Sequence, residues 1–175
     1  MRIRHTAIAA VIVIGGLAAA ASGGSSSSSG GNSSGGGSSS KTAVGIGTAA
    51  ADGKFTFTVN TVQCAIPSVG DTANGLGVTA QGQFCKVNVT VANKGTEAQD
   101  LVSDNQYAFD DKGGKLSTSS DAEIYSNQDS VLFTNINPGN SVTGDLYYDI
   151  PTTATISKFE FHDSMFSDGV TVNNK

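Results

Sequence analysis

The residue best suited to acid–base chemistry is a single histidine near the end of the chain. His162 is followed by Asp163, and two serines, Ser164 and Ser167, lie close behind it. Serine, histidine and a carboxylate can form a nucleophilic triad, but a triad depends on geometry that adjacency in sequence does not supply. No Gly-x-Ser-x-Gly elbow surrounds either serine. We therefore expect His162 to be a strand-end residue that hydrogen-bonds a neighbour, with a hydrolase as the alternative.

Carboxylates form a second set of candidate ligands, and most of them lie in predicted turns. Asp110 and Asp111 begin an Asp-Asp-Lys-Gly-Gly segment, and Asp163 and Asp168 lie in the C-terminal loop. Carboxylate oxygens suit calcium, yet the spacing of an EF-hand is missing. We expect solvated turn residues and predict no metal and no cofactor. A secreted protein that binds a metal ion or a small molecule is the alternative.

An aromatic side chain among acids is a further candidate for binding. Tyr147 alternates with Asp145 and Asp149 along a predicted strand. An exposed tyrosine there would suit a binding face. Packing against a neighbouring strand is the alternative interpretation.

The two cysteines, Cys64 and Cys85, predict a disulfide if the chain is exported, because an even count in an oxidising compartment is typical of a structural bridge. A metal site would need more Cys or His ligands, and a redox pair is usually closely spaced. On the chain-entropy account, a bridge across this separation stabilises a fold by about 3 kcal/mol.

Export is predicted by the N-terminal segment. Residues 1–21 combine Arg2 and Arg4, an apolar run of about a dozen residues and an alanine-rich cleavage region, which is typical of a signal peptide. A retained membrane anchor is the alternative. Residues 22–42 consist mainly of Ser and Gly and predict a disordered tether, or else a neutral low-complexity tail. Residues 43–175 are long enough for one domain.

Charge excludes some classes of partner. The chain carries 10 basic and 15 acidic residues, and loss of Arg2 and Arg4 would change the net charge from −5 to −7 (8 basic against 15 acidic). Nucleic-acid affinity comes largely from phosphate neutralisation, so we expect no nucleic-acid partner. Docking on anionic lipid is disfavoured for the same reason.

The elements that would position these residues are short strands. Apolar residues alternate with polar ones between turn signals, and helical periodicity is limited to a short segment over Asp121–Tyr125 that Ser119 or Ser120 could cap. After Val59 the alternation changes phase, which predicts a bulge. Pro67–Gly75 is predicted to be a loop. The predicted strands are Phe55–Val59, Phe84–Ala92, Leu101–Phe109, Val142–Ile150, Ile156–Phe161 and Gly169–Val172.

This pattern predicts an all-β fold, namely an immunoglobulin-like antiparallel β-sandwich of about seven strands with one short helix. Tryptophan is absent from the sequence, so the core cannot be of the antibody type.

Several blocks of sequence together resemble a known family. They are Gly82–Gly95, Asp110–Lys115, Asn137–Gly139 with Gly144–Pro151, and His162–Val170. In this order they are similar to a domain of unknown function found in secreted and lipid-anchored proteins of actinobacteria. That family shares an immunoglobulin-like sandwich with a mycobacterial immunoprotective extracellular antigen. The resemblance covers most of Val44–Val172, implies a fold and an extracellular location, and supplies no catalytic residues.

The chain departs from the family at its point of attachment. Many relatives carry a lipid-anchor cysteine after a Leu-Ala-Ala-like stretch, whereas Leu17–Ala21 contains none. Membrane contact is therefore expected only through the signal peptide or a lost lipid anchor. We predict a secreted or envelope-associated, monomeric, non-enzymatic interaction domain whose extracellular or cell-wall partner is unknown.

Overall fold

The computed structural model describes residues 42–126 and 134–175, and these residues form mainly β-strands. The predicted signal peptide and nearly all of the predicted tether lie outside the described residues. A short helix, α1 (Ser120–Tyr125), and two 3-10 turns, Thr72–Asn74 and Ser103–Asn105, interrupt the strands. None of these described helical segments is long and apolar enough to cross a membrane. In chain order the strands are β1 Val44–Gly45, β2 Ala50–Asp52, β3 Phe55–Asp71, β4 Leu76–Asn93, β5 Gln99–Leu101, β6 Tyr107–Asp110, β7 Lys115–Ser117, β8 Thr134–Ile136, β9 Ser141–Ile150, β10 Ile156–Phe161 and β11 Val170–Asn173.

Two sheets make up the sandwich. One has the order β2-β3-β4-β9, the other has the order β1-β11-β10-β6-β7, and β5 pairs separately with β8. Neighbouring strands are antiparallel, apart from the short parallel pair β1–β11. The predicted all-β sandwich with one short helix is therefore confirmed.

The main core lies between the two larger sheets and follows the alternation in the sequence. Phe57 on β3 is buried, and its ring stacks on Phe161 of β10 with centroids 5.2 Å apart. Tyr148 of β9 meets Phe159 of β10 with the two rings tilted by 44° and their centroids 6.2 Å apart. Each fully buried side chain of this size contributes about 1.5–3 kcal/mol through removal of apolar area from water.

The β3–β4 hairpin carries the disulfide. Cys64 on β3 is exposed and is bonded to Cys85 on β4, which is fully buried, so the predicted bridge is confirmed. The predicted bulge is also present, because the register shifts after Val59 and again between Gln63 and Ile66. Within the second shift Ala65 adopts a left-handed backbone with φ of 62°.

Two predicted elements were wrong in their extent. Pro67–Gly75 is a strand that continues to Asp71 and then turns, because Pro67 falls at a register shift, where a strand tolerates proline. The predicted strand Leu101–Phe109 is broken by the Ser103–Asn105 turn. Together with the short strands β1, β2, β7 and β8, which the sequence did not predict, this break gives eleven strands in the described residues, compared with the expected seven or so.

The helix α1 covers a second, smaller apolar cluster. Ser119 caps it by accepting from the Ala122 amide at 3.4 Å, and the Ser119 amide donates to the Tyr147 carbonyl of β9 at 2.7 Å. Ala122 then packs with Tyr147 and Phe84. The predicted helix and its cap are therefore confirmed.

Candidate functional site

The loop of residues 162–169 joins β10 to β11 and contains most of the candidate chemistry. It begins at His162, where Phe161 of β10 leaves the core, and ends before Val170 of β11. The turn between β2 and β3, at Gly53 and Lys54, lies against it. The loop therefore joins residues that are far apart in the sequence.

The His162 ring is held at both nitrogens. Nδ1 lies 3.1 Å from the Ser167 carbonyl oxygen and 3.3 Å from its hydroxyl, and Nε2 lies 3.0 Å from Oε1 of Glu160. A carbonyl and a carboxylate only accept hydrogen bonds, so the doubly protonated ring can donate to both. The ring also forms a T-shaped contact with the Tyr107 ring, with the two centroids 5.7 Å apart.

These contacts bring a serine, a histidine and a glutamate together, as in a catalytic triad. The hydrogen bonds do not, however, run from the serine hydroxyl to the histidine as a triad requires. The Ser167 hydroxyl donates to the Ser164 carbonyl at 3.0 Å, so its proton is not directed at the ring. Nδ1 faces a carbonyl that needs a donor, whereas a general base needs a free lone pair. The geometry therefore favours a structural role, in which the His162 side chain binds Ser167 and so closes the loop between them. We call this contact the clasp.

The third member of this cluster was missed by the sequence analysis, which considered Asp163. Glu160 precedes His162 by two positions, and residues two apart on a strand share one face. That spacing was the available signal. Gln106 was also missed: it is buried, accepts from the His162 amide at 2.9 Å and donates to the His162 carbonyl at 2.9 Å. No local pattern marks it.

Asp163 fastens the loop to the β2–β3 turn. Its carboxylate accepts from the Lys54 amide at 3.1 Å, and its own amide donates to Oδ2 of Asp52 at 2.9 Å. Gly53 allows this approach, because a Cβ at that position would collide with the Asp163 carboxylate. Gly53 also has a φ of +54°, which disfavours other residues.

The outer end of the loop presents two large apolar side chains to solvent. Met165 is 71% exposed and Phe166 is 90% exposed. We call these two residues the loop tip. The adjoining shallow cleft is lined by Asp52, Gly53, Asp163, Ser164, Phe166, Ser167 and Asp168.

The other acidic candidates have structural roles at a different place. The Asp110 carboxylate accepts from the amides of Lys112, at 2.9 Å, and Gly114, at 2.6 Å, and so shapes the β6–β7 turn. Asp111 accepts from the Thr155 amide at 3.4 Å. Both lie near the start of β10, at the end of the strand opposite to His162.

Tyr147 is a packing residue. It is only 6% exposed and meets Phe84 edge to face, with the ring centroids 6.5 Å apart. Tyr147 therefore packs against the neighbouring strand and does not form an exposed binding face. Asp145 on the same face is also buried, and pairs with Lys86 at 3.5 Å. In residues 42–126 and 134–175, His, Cys, Asp and Glu side chains form no group of three that could hold a metal ion.

Comparisons with known proteins place the fold in a family. A family model described as "Domain of unknown function (DUF4352)" matches residues 44–172. No curated protein sequence matches the chain.

Solved structures share the sandwich at low sequence identity. A secreted protein of Mycobacterium tuberculosis, MPT63, is 13% identical with a TM-score of 0.59, over 78% of this chain and 99% of that one. The yjhA protein of Bacillus subtilis is 16% identical with a TM-score of 0.57, over 75% and 99%. A functionally unknown protein from Listeria monocytogenes is 13% identical with a TM-score of 0.50, over 75% and 82%. At these identities the similarity concerns the fold alone.

Proposed function

The chain belongs to the DUF4352 family of domains of unknown function, and from this premise we propose that it is a non-enzymatic interaction domain, exported to the cell envelope or beyond, that binds a protein partner through its loop tip. One observation carries the proposal. Phe166 is 90% exposed at the end of a loop whose base is fixed by hydrogen bonds.

The rigidity of the base supports binding. Ser167 is held by His162, Asp163 by the Asp52 carboxylate, and both sides of the His162 peptide by Gln106. A loop that is ordered before binding loses less conformational entropy when it docks. Aromatic residues and methionine are also enriched where protein partners meet. The loop tip therefore suits an anchor that inserts into an apolar socket.

The acidic residues around the loop tip indicate which charges should surround the apolar pocket of the partner. The loop tip lies between Asp163 and Asp168, with the half-exposed Glu160 on the adjoining strand. Complementary potentials accelerate association and exclude unsuitable partners. We therefore expect the partner protein to carry lysine or arginine around the pocket that receives Phe166.

The location rests on separate observations. Residues 1–21 have the composition of a signal peptide, and one protein of similar fold is described as secreted. The exposed Cys64 in a disulfide suits an oxidising compartment, where such bonds persist.

A binding comparison with a matched control tests the proposal. The full chain, processed by the producing cells, is labelled and titrated onto envelope preparations as the wild type, as Phe166→Ser and as Leu76→Ser. Leu76 is also a large exposed apolar residue, at 64%, and lies at the far end of the β3–β4 hairpin from Lys54. We expect the Phe166 variant to bind at least about tenfold more weakly, as central interface anchors do when truncated.

The control identifies the cause of any loss. Retained binding by Leu76→Ser, with loss in Phe166→Ser, assigns the contact to the loop tip. Equal binding of all three proteins would exclude the loop tip as the anchor, and equal losses in both variants would indicate nonspecific adhesion of apolar side chains.

A further inference from the structure

Glu123, a residue of α1, has a buried carboxyl group that makes no hydrogen bond of ordinary geometry with the described residues. Glu123 is 1% exposed, and its neighbours Ser103 and Tyr148 are fully buried. In the described part of the chain, both carboxyl oxygens of Glu123, the Ser103 hydroxyl and the Tyr148 hydroxyl lack a hydrogen bond of ordinary geometry. Buried polar groups nearly always have partners, so a cluster of such atoms requires an explanation.

We propose that Glu123 is a proton-dependent latch for α1, which keeps the helix docked on the sandwich while the carboxyl is protonated and releases the helix when it is ionised. A protonated carboxyl can both donate and accept, and so can each of the two nearby hydroxyls. A carboxylate only accepts, and a buried charge without a counter-ion is costly.

On balance, the surroundings of Glu123 favour its neutral form. Asp104, in the Ser103–Asn105 turn, repels the ionised carboxyl, and Tyr148 faces it from β9. On the side of β3 and β4, α1 meets the apolar residues Val69 and Phe84, together with the packed ring of Tyr147. Burial raises the pKa of Glu123 from 4.5 to about 7, while the Ser103 hydroxyl and the Tyr147 backbone oppose the rise.

The helix is the part most easily released. It has six residues, and Ala122 anchors it to the small cluster, whereas the main core contains no residue of α1. Local opening of such an element relieves the buried charge without unfolding the sandwich. Opening would expose Ala122, Tyr147 and part of Phe84.

Hydrogen–deuterium exchange of the full chain, with its disulfide intact, tests the latch. Exchange of the amides of residues 121–126 is followed from about pH 5 to about pH 8 and corrected for the intrinsic dependence on pH. The pKa of the Glu123 carboxyl is about 7 when α1 is docked and 4.5 when α1 is released. The equilibrium constant for release of α1 therefore rises roughly 70-fold over this pH range. Amides of β4 should show no such change.

Three variants make the result decisive. Glu123→Gln mimics the protonated form and should keep α1 protected at every pH. Asp104→Asn removes a repulsive neighbour and should lower the pH midpoint of α1 release. Glu97→Gln changes an exposed control residue and should leave that midpoint unchanged. An unaltered pH dependence in Glu123→Gln overturns the proposal. If that variant does not fold, a carbon-13 NMR titration that places the wild-type Glu123 midpoint near 4.5 overturns it equally.

Discussion

The Nδ1 atom of His162 lies 3.1 Å from the carbonyl oxygen of Ser167, so the histidine closes the loop that presents Phe166. Glu160 holds the other ring nitrogen at 3.0 Å. A side chain that sequence reasoning treats as a possible catalyst thus fixes the shape of the loop that we propose to bind a partner.

Gly169→Ala should disturb this clasp. Gly169 has a φ of +72°, and a Cβ there would lie 2.6 Å from Cε1 of the His162 ring. We expect a loss of stability of about 1 kcal/mol from the backbone alone, and displacement of the ring in addition. Deuterium exchange of residues 162–169 measures the displacement.

Gly113→Ala is the matched control for this substitution. Gly113 has a φ of +87°, but nothing lies within 4 Å of the added atom, so only the backbone effect should occur. Equal exchange of the 162–169 loop in the two variants would contradict the role assigned to His162.

Removal of the disulfide should weaken the fold without changing it. Cys64 and Cys85 are separated by 21 positions, for which the chain-entropy account gives about 3 kcal/mol. Urea unfolding of Cys64→Ala/Cys85→Ala, compared with the oxidised wild type, measures the loss. A difference below about 1 kcal/mol would mean that the unfolded chain is constrained in some other way.

Glu123 should make the domain less stable as the pH rises. Its pKa is raised from 4.5 to about 7 in the folded state, so the folded protein retains a proton that the unfolded chain has lost. The stabilising contribution is complete below about pH 4.5 and is lost as the pH rises through about 7. The loss is at most about 3 kcal/mol, and smaller if α1 opens locally.

The measurement is urea unfolding at about pH 5 and about pH 8. Glu123→Gln should lack the decline that the wild type shows, and should therefore be the more stable protein at the higher pH. If the difference between the two proteins is the same at both pH values, the carboxyl does not titrate in this range.

The strands could be predicted where one face of a sheet is buried. Phe55, Phe57 and Val59 alternate with polar residues, and the structure buries all three. The alternation failed on β9, where Asp145 and Tyr147 occupy the predicted polar face but are buried. Tyr147 is covered by Ala122 and Phe84, which belong to distant segments, so local periodicity carries no sign of its burial.

The site was predictable only in part. His162 and Asp163 could be identified by residue type, whereas Gln106 reaches His162 across 56 positions and has no local signature. The exposure of Phe166 was also unpredictable, since phenylalanine is usually buried and nothing in its local pattern separates it from Phe159.

Phe166 and Phe159 should respond very differently to truncation. Phe159 is fully buried between the sheets, so Phe159→Ala should cost about 3–5 kcal/mol. Phe166→Ala should change stability by less than about 0.5 kcal/mol, because the side chain is 90% exposed. Thermal or urea unfolding distinguishes these outcomes, and a large loss in Phe166→Ala would mean that the loop tip is structural.

Photo-crosslinking at position 166 tests the role of the loop tip most directly. The full chain is produced in its own cells with a photoreactive phenylalanine analogue in place of Phe166 or, as a control, of Leu76. We expect a discrete protein adduct at position 166 only, displaced by excess wild-type chain and unaffected by an equal excess of Met165→Ser/Phe166→Ser. The same adducts at both positions, or equal displacement by the two competitors, would contradict binding through the loop tip.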